Sequence, residues 1–212
     1  MKHINYFDLG LWKKADELNY MVQYVLPQFR NVTYTAYGIE ACPEYASLIK
    51  QKYIDNKNVI IHNKAISNSV GKTNLFIANN NDGLGNSIFR SKNNVDVNNK
   101  VEVSTTTFSE WLIENNIDLT NSINILKVNI EGAELFLWED FKKNNLRNHF
   151  QLLCGHPSHD IYKVSELNDK IDHYKSLLEE LNINLMLFCH TDRNGSINNM
   201  TSALKNILNQ YE

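Results

Sequence analysis

The sequence predicts a single α/β domain with a doubly wound, mostly parallel sheet, and three observations lead to this fold class. Residues 3–66 alternate apolar runs of strand length with stretches of helical spacing, in a β-α-β-α-β order that favours parallel strands joined by helical crossovers. The apolar run 123–130 breaks into Glu131-Gly132-Ala133-Glu134, as a buried central strand does where it ends at a site. No internal repeat or shift in composition marks a second domain.

The amino-terminal half is predicted to supply the first strands of the sheet. Apolar runs predict strands at 3–10, 33–40 and 58–66, and helical spacing predicts helices at 12–29 and 43–53. Two further strands are predicted at 73–78 and 101–107, and a short helix at 108–116. Between these two strands, residues 79–100 are rich in asparagine, and we interpret them as a mobile flap over the site.

The carboxyl-terminal half continues the alternation. Strands are predicted at 123–130, 150–156 and 184–189, and helices at 135–146, 165–181 and 201–211. Residues 192–195 read as a turn, and Thr201 reads as the cap of the last helix.

Composition excludes several classes of protein. The formal net charge of −3, without a run of lysine or arginine, argues against a nucleic-acid binder. No apolar run approaches the roughly 18 residues that span a bilayer, so we expect no membrane insertion. Three widely spaced cysteines and an amino terminus without a signal-peptide pattern favour reduced, buried thiols in a cytoplasmic protein.

Polar groups are predicted to meet at the carboxyl ends of three strands. The first strand ends in Asp8-x-Gly10, the second in Glu40, and the strand at 123–130 in Asn129-x-Glu131. An acid such as Glu40 is placed to accept hydrogen bonds from both hydroxyls of a ribose. The chain lacks the G-x-G-x-x-G that a dinucleotide's pyrophosphate needs, so S-adenosylmethionine, which has no phosphate, suits the site better than NAD.

Four segments together resemble the FkbM-type S-adenosylmethionine-dependent methyltransferases. They are FDLG, YGIEACPEYASLI, VIIHNKAISNSVGKTNLFI and ILKVNIEGAELFLWEDF, and the resemblance covers residues 4–157. It implies a seven-stranded class I (Rossmann-like) methyltransferase fold and methyl transfer to a hydroxyl of a small metabolite, glycan or lipid-like acceptor. It also implies a cofactor-binding half at about 1–130 and a substrate-side half at about 131–212.

The resemblance carries over to individual cofactor-binding positions. Asp8, Gly10 and Asn129 would lie by the methionine end of the cofactor, and Glu40 would bind the ribose. Ala41 would touch the adenine or the ribose, and Lys64, Ala65 and Ile66 would border the adenine.

The chain departs from the resembled pattern at three positions. Trp12 and Lys14 stand where the family has asparagine and glycine, and Asn129 stands where it has aspartate. Lys14 would repel a sulfonium unless it pairs with the methionine carboxylate or points outward. With asparagine at 129 we expect no metal ion, because a divalent cation would need an anionic cluster there. These departures leave open a degenerate, non-catalytic binding or scaffolding module.

Glu131 and His156 are the candidate general bases for a hydroxyl acceptor. His156 ends the strand predicted beside 123–130, and its alternative role is that of a turn histidine before Pro157. Glu134 reads as a structural acid at a helix start. His159 and Asp160 follow in the same loop and are candidates for lining the acceptor pocket.

Overall fold

The structure is a computed structural model, and it describes residues 2–80, 84–156 and 160–211. The strands of its main sheet are β1 (Lys2–Leu9), β2 (Val32–Glu40), β3 (Val59–Asn63), β7 (Ile123–Val128), β8 (Leu152–Gly155) and β9 (Met186–Leu187). They lie in the order β3-β2-β1-β7-β8-β9, and every pairing is parallel. In the described part of the chain the main sheet thus has six strands, not the seven that the resemblance implied.

Helices cover both faces of this sheet, because neighbouring residues of a buried strand point to opposite sides. On β1, Phe7 packs with α3 (Phe108–Glu114), α4 (Glu134–Lys143) and α5 (Ile171–Glu180). Tyr6 packs on the other face, with α1 (Asp16–Asn19), α2 (Pro43–Lys52) and α6 (Arg193–Asn209). The doubly wound α/β prediction is therefore confirmed.

A second, smaller sheet stands beside the first. It contains β4 (Ala65–Ile66), β5 (Gly71–Ala78) and β6 (Val95–Thr106) in the order β4-β6-β5, with β5 antiparallel to β6. Its inner side buries a small cluster with the start of α2, made of Cys42, Ala65, Leu75 and Val103. The small sheet thus packs against the start of α2.

The amino-terminal and middle boundaries differ from the sequence predictions for local reasons. The helix predicted at 12–29 begins only at Asp16, because Trp12 and Ala15 have left-handed backbones with φ of 54° and 50°. It continues as a π-helical turn and then a 3-10 turn, Tyr20–Val25 and Leu26–Gln28. The strand predicted at 58–66 is split by Lys64 between the two sheets.

The predicted flap is shorter than expected, because β6 begins at Val95 instead of 101. Residues 97–100 are exposed on this strand, so their polar composition resembled that of a loop. Residues 81–83 of the flap and His159 lie outside the described residues.

The carboxyl-terminal predictions also need correction. The strand at 184–189 is only two residues long, and α6 begins at Arg193 instead of 201. Asp192, not Thr201, caps this helix, since its carboxylate accepts a hydrogen bond from the Gly195 N–H at 2.9 Å. The predicted turn is thus the first turn of the helix.

All three cysteines are buried and free, as the sequence predicted. None of the described helices combines the length and the apolar character that crossing a membrane requires.

Candidate functional site

A cleft of about 630 Å³, its open mouth included, lies at the carboxyl ends of β1, β2, β3 and β7. This is where open α/β sheets bind ligands. The strand ends form its floor. The small sheet and residues 84–88 form the opposite wall, with Tyr45 of α2 between them.

Eight of the ten site residues predicted from the sequence line this cleft. They are Gly10, Glu40, Ala41, Lys64, Ala65, Ile66, Asn129 and Glu131. Two do not line it: Asp8 is buried beneath the floor, and His156 is exposed elsewhere.

Glu40 lines the cleft and also organises the loop after β1. One carboxylate oxygen, Oε2, accepts hydrogen bonds from the Leu11 and Trp12 N–H groups at 3.0 and 2.9 Å. The other, Oε1, accepts the Cys42 N–H at 2.8 Å. Burial raises the pKa of Glu40, and these three donors oppose the rise. Since a carboxylate offers about four lone-pair sites, Oε1 can accept one further hydrogen bond.

Gly10 is required by the close approach of two loops. Its φ is +79°, and a Cβ at this position would lie 1.8 Å from the Asn129 carbonyl oxygen. The Gly10 N–H donates to the Ile39 carbonyl at 2.9 Å, and the Asn129 N–H donates to the Leu9 carbonyl at 3.0 Å. The ends of β1, β2 and β7 are therefore held together as one floor.

Asp8 supports this floor from below. Its carboxylate lies 2.9 Å from the Lys127 Nζ and accepts a hydrogen bond from the Tyr6 hydroxyl at 3.0 Å. Lys127 in turn donates to the Gly10 carbonyl at 2.7 Å. Burial raises the pKa of Asp8 to about 6 against the opposing effect of Lys127. The sequence had placed Asp8 beside the cofactor, but the structure places it one layer deeper, where it orients Lys127.

Glu131 lies in the turn after β7 and has a strained backbone, its φ being 58°. Its carboxylate lies 2.8 Å from the Nζ of Lys92, whose side chain is buried. Burial raises the pKa of Glu131, as does the charge of Asp160, whereas Lys92 lowers it.

The other candidate acids and bases have different surroundings. Glu134 is buried, and its two carboxylate oxygens accept the Ile130 N–H at 2.8 Å and the Gly132 N–H at 2.7 Å. It is thus the structural acid that the sequence suggested, holding the turn around Glu131. Asp160 is buried in an ion pair with Lys163 and does not line the cleft.

Lys14 does not line the cleft. Its side chain is exposed, and its ammonium group lies 4.9 Å from the centre of the Trp12 ring. Trp12 itself lines the cleft. Lys14 is therefore an exposed cation that contacts a cleft residue without lining the cleft itself.

The sequence analysis missed Tyr45 and the wall formed by residues 84–88. Tyr45 follows Glu40 by five positions, at the start of a helix that begins at the ligand-binding edge, and this was an available signal. Residues 84–88 belong to the asparagine-rich segment, whose pattern gave no indication of which side chains face inward.

Comparison with known proteins relates the chain to a protein family. The model of the methyltransferase FkbM domain matches residues 15–185, well over half of the chain. No curated protein and no solved structure matches significantly.

Proposed function

We infer, because this chain belongs to the FkbM methyltransferase family, that it transfers a methyl group from S-adenosylmethionine to a hydroxyl group. We further propose that the acceptor is a small metabolite, a glycan or a lipid-like molecule. The methyltransferase activity follows from the family, whereas the cofactor and the type of acceptor are our proposals.

The observation that carries the cofactor proposal is the use of the N–H groups after β1. In a dinucleotide site such groups bind phosphate. Here the Leu11 and Trp12 N–H groups donate to Glu40, so they are not available to an anion. An acid-lined cleft of this kind favours a nucleoside that carries a positive charge and no phosphate.

The residues present fit the parts of such a ligand. Glu40 Oε1 would accept a ribose hydroxyl, and the apolar side chains of Ile39, Ile66 and Leu75 would contact the adenine. Asn129 would lie toward the methionine end. When bound, S-adenosylmethionine supplies the electrophilic methyl carbon.

Glu131 is the residue we propose as general base. It lines the cleft, whereas His156 does not. A pKa raised by burial brings a carboxylate closer to the working pH, and such a carboxylate accepts a proton more readily. Glu131 would accept the proton of the acceptor hydroxyl as the acceptor oxygen takes the place of the cofactor's sulfur on the methyl carbon, and S-adenosylhomocysteine would be the leaving group. Positioning of the acceptor would supply much of the rate.

Calorimetric titration with S-adenosylhomocysteine tests the cofactor. We expect saturable binding, and folded protein that gives no heat at high micromolar ligand would refute the proposal. The acceptor is then sought by mass spectrometry, with hydroxyl compounds incubated with the enzyme and S-adenosylmethionine. A product methylated on nitrogen or carbon instead of oxygen would contradict the acceptor assignment.

The general base is tested with Glu131→Gln. This variant should bind S-adenosylhomocysteine as the wild type does within about threefold and lose roughly 10²-fold in kcat. An unchanged kcat would exclude Glu131 as the base.

A further inference from the structure

Lys92 is a buried cation in the segment that the sequence suggested was a flap. Only 3% of the residue is exposed. Its ammonium group donates to the Gly85 carbonyl at 2.9 Å and to the Asn94 side-chain oxygen at 2.7 Å, and it lies 2.8 Å from the Glu131 carboxylate. All three donor positions of the ammonium group are thereby used.

These contacts join two parts of the cleft that are distant in sequence. Gly85 belongs to the wall at 84–88, and Glu131 belongs to the turn after β7. The same two parts meet again where the Ser87 hydroxyl donates to the Glu131 carbonyl at 2.7 Å. Ser87 also exchanges two backbone hydrogen bonds with Phe76 of β5, at 2.8 and 3.0 Å. The wall is therefore fastened both to the small sheet and to the strained turn at Glu131.

Burying an ion pair at this position carries a large cost in desolvation free energy. Two apolar side chains of similar volume would pack there without the cost of removing both charges from water, and replacement of a whole buried pair in this way is often neutral or stabilising. Stability alone therefore does not account for the pair. The ion pair joins residues 84–88, which cover the cleft, to Glu131, whose backbone is left-handed. A pair in this position fixes the geometry of the cleft.

We propose that Lys92 is a positioning residue: it holds residues 84–88 closed over the cleft and keeps the Glu131 carboxylate ionised and directed toward the acceptor. The first part depends only on the contacts above. The second rests on the proposed function, because it assigns Lys92 a part in methyl transfer.

Hydrogen exchange tests the first part without any ligand. The Phe76 and Ser87 amides donate to each other's carbonyls, so they report whether the wall is docked on β5. In Lys92→Met we expect both amides to exchange at least tenfold faster than in the wild type, while amides of β1 keep their rates. The control is Lys72→Met, which removes an exposed ion pair with Glu102 on the same small sheet. Unchanged exchange at Phe76 and Ser87 in Lys92→Met would overturn the proposal.

The double variant Lys92→Met/Glu131→Gln keeps this test valid if the single variant does not fold. It leaves neither charge unpaired, yet it still lacks the bonds to Gly85 and Asn94. The two amides should again exchange at least tenfold faster, and wild-type rates would refute the anchoring role.

The second part is tested by the pH dependence of kcat. Without Lys92 the carboxylate of Glu131 loses its nearest countercharge, and the charges that still act on it are those of Asp160 and Lys163, which have opposite effects. The acidic limb of the profile should therefore move to higher pH by about one unit, whereas it should not move in Lys72→Met. An unmoved limb would show that Lys92 does not act through Glu131. If the wild type fails to bind S-adenosylhomocysteine, the proposed function falls, and the exchange rates alone decide whether Lys92 anchors the wall.

Discussion

Glu40 is predicted both to hold the loop after β1 and to bind the ribose of the cofactor, and alanine substitution distinguishes these two roles. Glu40→Ala removes the acceptor for three backbone N–H groups, those of Leu11, Trp12 and Cys42. A hydrogen bond to a charged group contributes about 1.5–3 kcal/mol. The three do not add fully, because the substitution also removes a buried carboxylate that burial disfavours. We therefore expect a loss of about 2–4 kcal/mol in the free energy of unfolding.

Glu40→Gln should give an intermediate loss. Its single carbonyl oxygen can still accept from Leu11 and Trp12, but its amide group would face the Cys42 N–H, donor against donor. We expect this variant to lose about 1–2 kcal/mol in the free energy of unfolding. The matched control is Glu44→Ala, an exposed acid four residues along the chain, which should change stability by less than about 0.5 kcal/mol.

Two measurements on the same variants separate the roles. Urea unfolding without ligand reports the structural hydrogen bonds, and calorimetry with S-adenosylhomocysteine reports the proposed ribose contact. Glu40→Ala should weaken binding at least tenfold under conditions where it is fully folded. A loss of stability below about 1 kcal/mol would refute the loop-holding role, and binding within twofold of the wild type would refute the ribose contact.

Two other predictions concern buried charges. Lys127→Met leaves Asp8 buried without its countercharge and should lower the free energy of unfolding, measured in urea at pH 7, by about 3–5 kcal/mol. The double variant Asp8→Asn/Lys127→Met should recover most of this loss. A double variant as unstable as the single one would contradict this account. Burial raises the pKa of Glu134 from its ordinary value of 4.5 to about 7, so ionisation of this side chain opposes folding. The stabilising contribution of the protonated side chain is complete below pH 4.5 and is lost as the pH rises through 7. Relative to Glu134→Gln, the wild type should thus lose about 3 kcal/mol between pH 4.5 and 8, and parallel stability curves would disprove the raised pKa.

The main sheet could be predicted because each strand carries its own signal. Runs such as Ile123–Val128 are buried on both faces, and an apolar run of that length between turns has few other uses. The site could be located for the same reason, since parallel strands bring their carboxyl ends to one edge. Gly10, Glu40 and Asn129 were identified from this rule and from the resemblance, without knowledge of any contact between them.

The exact environment of each site residue could not be predicted in this way. Asp8 and Leu9 are adjacent in sequence, but they point to opposite faces of the sheet, and only the packing of Lys127 shows that Asp8 serves the floor from below. The Lys92–Glu131 pair joins residues 39 positions apart through a segment with no periodic pattern. Contacts of this kind depend on the path of a loop, and a loop's path is decided by tertiary contacts that local sequence does not encode.

The small sheet comes from one continuous stretch, Ala65 to Thr106, whereas the floor of the cleft comes from segments before and after it. The stretch is therefore a continuous module, and the contacts of Lys92 and Ser87 with Glu131 tie it to the floor. Its first junction is Lys64, the residue between β3 of the main sheet and β4 of the small sheet. Its second junction is Thr107, whose side chain caps α3 by accepting the Glu110 N–H at 3.2 Å. A chimera that receives this module from another family member would keep its own floor and acquire a new cover.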